Sequence, residues 1–253
     1  MITVLSPAKS LDFESQSPIS KHTALTFSKE TQTLVKKLKK LSAKKIGNLM
    51  NLSTNLSDLN YERYQSFSED YSTDNSKQAI LAFTGDVYRG LDAKSFNEAD
   101  FDFAQDHVRI LSGLYGLARP LDYIQPYRLE MGTKFEVSAK AKNLYGFWKD
   151  KVTSQLNKDL DGDLLVNLAS NEYFKAVDTK SLKSDVLTLN FKDNKNGQYK
   201  AIMTYAKLAR GYMTNYIVKN KIDKVDDLRG FDYEGYVFNN DLSSYLDWTF
   251  TRG

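Results

Sequence analysis

The chain has 253 residues, enough for one large domain or two small ones, and folding at that size should bury roughly 70–75% of the unfolded surface. Hydrophobic residues make up 41% and charged residues 26%, proportions that exclude wholesale disorder. No cysteine is present, and only His22 and His107 supply imidazole, which excludes disulfides, thiolate or multi-histidine metal sites, haem attachment and thiol nucleophiles.

The net charge of +3 comes from 35 basic and 32 acidic side chains, too mild a balance to mark a nucleic-acid binder unless the basic groups cluster. The opening MITVLSPAKS has no basic leader and no long apolar run, so a soluble, cytoplasmic protein without membrane contact is expected. Residues 2–5 read as a strand closed by Ser6-Pro7. Leu34, Val35, Leu38 and Leu41 fall at helical spacing, a second amphipathic piece runs from Ser42 to Leu52, and helical character continues through Leu56, Leu59 and Tyr64. Phe67 to Lys77 is polar and loop-like, and Lys77, outside every motif, is expected to be exposed and inert to replacement. Residues 79–83 are continuously apolar and end in Thr84-Gly85-Asp86, the pattern of a buried strand. Asn97 is placed to cap a helix whose first turn holds Glu98 and Asp100.

Val108 to Leu111 reads as another strand, followed by a punctuated segment with Gly113, Gly116, Pro120 and Pro126. Leu144 to Leu160 has the pattern of an amphipathic helix, and Leu164 to Leu168 that of a third buried strand. Asn196-Gly197 marks a hairpin between 185–192 and 199–205, with a helix from Ala206 to Lys219. No repeat, low-complexity tract or linker divides the chain, so residues 1–253 are expected to form a single domain of mixed α/β class.

Polar groups follow each of the three apolar runs: Ser6, Lys9 and Asp12; then Asp86 and Arg89; then Asn167, Ser170, Asn171 and Glu172. If the runs are parallel neighbours, these groups gather at one sheet edge, where open α/β sheets place ligands; the plain alternative is ordinary polar turns. Lys36, Lys37, Lys39, Lys40, Lys44 and Lys45 form a face that can hold a polyanion by counterion release, or simply be solvated. Further on, Arg109, Arg119, Arg128 and Lys134 alternate with Tyr115, Tyr123 and Tyr127. Arginine offers planar forks to phosphate, and glycine lets a backbone approach closely.

Arg119 and Arg128 stand beside proline-bearing turns and are expected to project into a groove, the alternative being structural pairing with Asp122 or Glu130. Gly113-Leu-Tyr-Gly116 is similar to the hairpin of a helix-hairpin-helix element, although two residues rather than one separate the glycines. Lys207 and Arg210 share a helix face, and Gly211 points to close packing or to the approach of a partner's backbone. Catalytic signals are sparse, with no phosphate loop, dinucleotide fingerprint, zinc-protease motif or nucleophile elbow. Asp102 and Asp106 beside His107 could face a hard cation, but a solvated acidic face is the commoner outcome. The expectation is no cofactor, no metal and no enzymatic activity.

Several segments recur in a familiar order. They are Ser-Pro-Ala-Lys-Ser-Leu-Asp (6–12), Gly-Asp-Val-Tyr (85–88), Phe-Asp-Phe-Ala-Gln (101–105), Leu-Ser-Gly-Leu-Tyr-Gly-Leu-Ala-Arg-Pro-Leu-Asp (111–122), Gln-Pro-Tyr-Arg-Leu-Glu-Met-Gly (125–132) and Asn-Leu-Ala-Ser-Asn-Glu-Tyr-Phe (167–174). Their order and spacing resemble the YaaA family of bacterial peroxide-stress proteins, also called UPF0246, with the likeness fading after Phe238. That resemblance implies one α/β domain of unusual topology with a positively charged cleft and a helix-hairpin-helix-like element. It also implies binding to duplex or distorted DNA and a role in limiting iron-driven damage under hydrogen peroxide; the basic residues sit in loops and helix faces with no major-groove reading module, so duplex or branched DNA is expected to bind with little sequence preference. Within the matching motifs it points to Lys9, Arg109, Arg119, Arg128 and Lys134 as DNA contacts, with Lys207 and Arg210; Leu208 departs from the basic residue common in that motif. The alternative from another class is an uncharacterised enzyme acting on a nucleotide or nucleic acid at a pocket around Lys9, Asp12, Asp86 and Glu172. Acids clustered in a basic cleft would favour it.

Overall fold

The first apolar run forms strand β1 (Ile2–Leu5), buried along its whole length, in a computed structural model that describes residues 1–253. β2 (Val108–Ser112) lies parallel to β1, and the chain turns back through antiparallel β3 (Gly116–Ala118). On the other side of β1 comes parallel β4 (Leu165–Asn167), then parallel β5 (Val186–Lys195), whose far end pairs with antiparallel β6 (Gln198–Lys200). The C-terminal hairpin of β7 (Val237–Ser244) and β8 (Asp247–Arg252) completes the sheet, with β8 parallel to β5. The order across it is β7-β8-β5-β4-β1-β2-β3. Strands β1, β2 and β4 are buried at every residue, as parallel strands covered on both faces must be. In β5 the burial alternates, with Leu187, Leu189, Phe191 and Asp193 inward.

The long helical region of the first third is three helices: α1 (Ser28–Leu38), α2 (Ala43–Met50) and α3 (Thr54–Ser66). Asn51, in the left-handed region at φ 52°, closes α2, a conformation that asparagine tolerates better than most residues. α4 (Asp86–Leu91) is short, and α5 (Glu98–His107) opens with the expected cap: Asn97 and Asp100 each accept from the other's backbone amide. α6 (Leu144–Leu160) matches its sequence reading residue for residue, and α7 (Met203–Lys219) begins three residues earlier than expected. No helix is long and apolar enough to cross a membrane.

Three expectations are corrected. Residues 79–82 form one helical turn, and only Phe83–Thr84 is extended, pairing with Ser10–Leu11 outside the main sheet. All of 79–83 is buried, and a short apolar run carries no periodicity to separate strand from helix. The 113–116 segment is not a helix-hairpin-helix loop. It is the turn between β2 and β3, and residues 108–118 are buried throughout. Gly116, at φ 69°, lies against Trp148, where a β-carbon would come within 2.6 Å of the indole, and the indole N–H of Trp148 donates to the Gly113 carbonyl at 2.9 Å. Finally, the second strand of the 196–197 hairpin stops at Lys200 and gives way to α7.

Candidate functional site

The loops leaving β1 and β4 are laced together, because these strands are parallel neighbours and their C-terminal ends meet. The Ser6 hydroxyl oxygen accepts from the Ser170 amide at 2.8 Å, and the Tyr88 hydroxyl of α4 donates to the Ser6 carbonyl at 3.0 Å. The polar clusters behind the first and third apolar runs therefore do converge. The second joins them through α4, although its apolar run is not a strand of the main sheet.

Against this seam lies the chain from Tyr127 to Lys134. Tyr127 shares a hydrogen bond with Ser112 Oγ at 2.7 Å, the Tyr64 hydroxyl donates to the Arg128 carbonyl, and the Gly132 amide donates to Glu172 Oε1 at 3.0 Å. Burial pushes the hydroxyls of Tyr64, Tyr127 and Tyr173 well above the usual tyrosine range, so they stay neutral, and Tyr64 holds the segment as a donor.

The segment presents a crevice of cations around one carboxylate. Glu130 receives Lys9 Nζ on Oε2 at 2.7 Å and Arg128 Nη2 on Oε1 at 3.3 Å. Arg63 stands beside Arg128. Burial lowers its proton affinity, with Tyr64 opposing this and the Arg128 charge adding a smaller push the same way. Its one polar partner is Asn60 Oδ1 at 3.4 Å, and Arg128 Nε is buried with no partner. Glu130 also borders an open hollow of about 530 Å³, shared with Asn48 to Asn51 at the end of α2, Thr133, Lys134 and Glu172. Lys44, one turn before Asn48 on α2, extends the positive charge along that helix.

The other expected contacts fall elsewhere. Arg109 is 7% exposed, its Nε held by Asp159 Oδ2 at 2.6 Å and its Nη1 by the Gln105 and Val108 carbonyls, so it is scaffold and not a phosphate ligand. Arg119 closes on Asp122 at 3.0 Å and reaches the Ala24 carbonyl; Asp122 is fully buried and also accepts from Thr23 at 2.6 Å. That is the structural pairing, not a projecting fork. Lys9 and Lys134 are exposed at the crevice and the hollow. Lys207 is exposed on α7, and Arg210, half-buried there, has an unpartnered Nε; burial lowers its proton affinity. Gly211 is explained by packing on α4.

Of the acids named for an enzymatic pocket, Asp12 accepts from the Ser15 hydroxyl and amide, which hold it well below the usual carboxylate range with Lys77 nearby. Asp86 pairs with Arg89 at 3.0 Å. Glu172 and Lys9 flank Glu130 from two sides. Asp102 is taken by Lys21, His107 stacks on Phe103, and no group of three or more histidine or acidic side chains is gathered to hold a metal. Lys77, 5% exposed, donates to the Ser15 carbonyl at 2.7 Å and is no neutral bystander. Sequence reasoning missed Arg63, whose only signal was being the lone basic residue of α3, and the end of α2.

This is a mixed α/β domain in which Lys9, Arg128 and Glu130, from two of its motif segments, meet in one crevice. The profile of the family described as peroxide stress protein YaaA matches residues 1–242. A UPF0246 protein of Saccharophagus degradans is 49% identical over 255 residues, covering 100% of this chain and 99% of its own. Another, from Acaryochloris marina, is 50% identical over 253 residues, with both chains wholly covered. The chain belongs to the YaaA (UPF0246) family of peroxide stress proteins. The family profile stops at residue 242, close to where the resemblance was expected to end, while the alignment to the Acaryochloris relative continues to the C-terminus, where β8 carries Trp248 and Phe250 into the core.

Proposed function

We propose that the protein serves the peroxide stress response by binding DNA, duplex or branched and without strong sequence preference, through the phosphates, and so limits iron-driven damage to it. The contacts in this reading are Lys9, Arg63, Arg128 and Lys134, with Lys44 alongside. The observation that carries it is the Lys9–Glu130–Arg128 crevice: two cations converge on one carboxylate, and Arg128 Nε is buried with no partner. Like charges kept out of water without matching anions are costly, and such arrangements cluster where an anion is to be received. Contacts made from loops and helix ends position a phosphate backbone without reading base edges.

A salt titration on a fluorescent duplex tests the reading. Neutralising four or five phosphates gives log K a slope of about −4 against log salt. Equal affinity at about 50 mM and 300 mM salt would remove electrostatics, and with it this reading.

A further inference from the structure

We propose that Lys9 and Arg128 form a seat for one phosphate group, and that Glu130 fills this seat in the free protein and is displaced when phosphate arrives. The inference deepens the proposed function, because nucleic acid is one source of that phosphate.

The Glu130 carboxylate spans two cations with one oxygen each, as two oxygens of a phosphate would. It fits poorly. The Arg128 contact at 3.3 Å is long for a charge-assisted hydrogen bond, whose usual range is about 2.7–2.9 Å. Arg128 Nε is buried and unmet. One negative charge thus serves two cations and leaves a buried donor of Arg128 bare. A phosphate is larger and can carry more charge, and it can reach donors that the carboxylate leaves bare.

Glu130 is also free to leave. It lies in a segment without helix or strand, its side chain is 24% exposed, and it stands between the crevice and the 530 Å³ hollow. The other acid of that hollow, Glu172, is held by the Gly132 amide and keeps its place. Thr133 and Lys134 line the space into which the displaced carboxylate swings.

Removing an acid from a real ligand contact normally weakens binding; here it should strengthen it. The test compares wild type with Glu130→Gln and Glu130→Ala, titrated with a short duplex and, separately, with inorganic pyrophosphate. The control, Asp226→Asn, makes the same change in net charge at an acid that is 78% exposed. Expected is a threefold to tenfold gain in affinity at low salt for the Glu130 variants, with none for the control. Binding titrations are scaled to the folded fraction, read from thermal melts of each variant.

If only pyrophosphate gains and wild type ignores the duplex at every salt, the phosphate seat stands and the DNA reading falls. If neither Glu130 variant gains affinity for either probe, Glu130 is a scaffold carboxylate and this inference is overturned.

Discussion

Gly90 and Gly211 meet where α4 crosses α7, backbone against backbone. A β-carbon on Gly211 would lie 2.6 Å from the Leu91 amide nitrogen and closer still to the Val87 carbonyl oxygen, while one on Gly90 would crowd the Leu208 carbonyl and sit 3.1 Å from the Tyr212 nitrogen. This crossing fixes α4, and with it Tyr88 and the Ser6 carbonyl that its hydroxyl holds.

Gly211→Ala therefore sets two effects against each other. In an isolated helix, alanine would gain about 1 kcal/mol over glycine. Here the added methyl must push two backbones apart, and overpacking of this kind costs about 1–3 kcal/mol or more. We expect net destabilisation, measured as a lower urea midpoint at unchanged m-value. A midpoint above wild type would mean that the crossing yields at no cost.

Arg109 and Lys134 should separate scaffold from surface. Arg109→Ala leaves the largely buried Asp159 with only the Gln155 amide and is expected to cost about 3–5 kcal/mol in denaturant unfolding, while the DNA binding proposed above is unchanged in the folded fraction. Lys134→Ala should change stability by less than about 0.5 kcal/mol yet flatten the salt slope by about one unit. The reversed pattern would exchange their roles.

Lys77→Met tests a buried ammonium tied to Ser15 and lying 3.7 Å from Asp12. Losing hydrogen bonds to a charged group should cost about 1.5–3 kcal/mol, read as a lower melting temperature. Unchanged melting would show that the 12–15 turn holds without it.

Asp100 governs acid stability at the α5–α7 contact. Burial opposes its charge, but the ammoniums of Lys219 and Lys221 and the Asn97 amide outweigh this and hold its pKa at about 2. A carboxylate titrating lower in the folded chain than in the unfolded one stabilises at neutral pH. That stability is complete above about pH 4 and drains away as the pH falls toward 2. Asp100→Asn should remove about 2 kcal/mol at pH 7 and flatten the decline between about pH 4 and 2. Urea midpoints taken across that range check it.

Much of the fold was legible because local rules were enough. Asn97 with Asp100 announces a capping box, Asn196-Gly197 a tight turn, and residues 144–160 an amphipathic helix, each settled within a few residues of itself. The run at 79–83 was not legible, since every residue there is buried whichever backbone it adopts.

The cationic site divides along the same line. Sequence alone determined that basic side chains gather in the 109–134 region and that the flanking motifs belong to one family. Whether a given arginine faces a ligand or an internal acid was decided by tertiary structure. Arg109 finds Asp159 fifty residues away because α6 packs on β3, the strand that pairs with β2, and Arg119 turns onto Asp122, whose carboxylate is fully buried. Arg63 comes from a helix with no motif, and that helix is tied to the Arg128 segment through Tyr64, whose hydroxyl donates to the Arg128 carbonyl. A charge's partner is set by distance in space, and the sequence encodes that distance only through the whole packed fold.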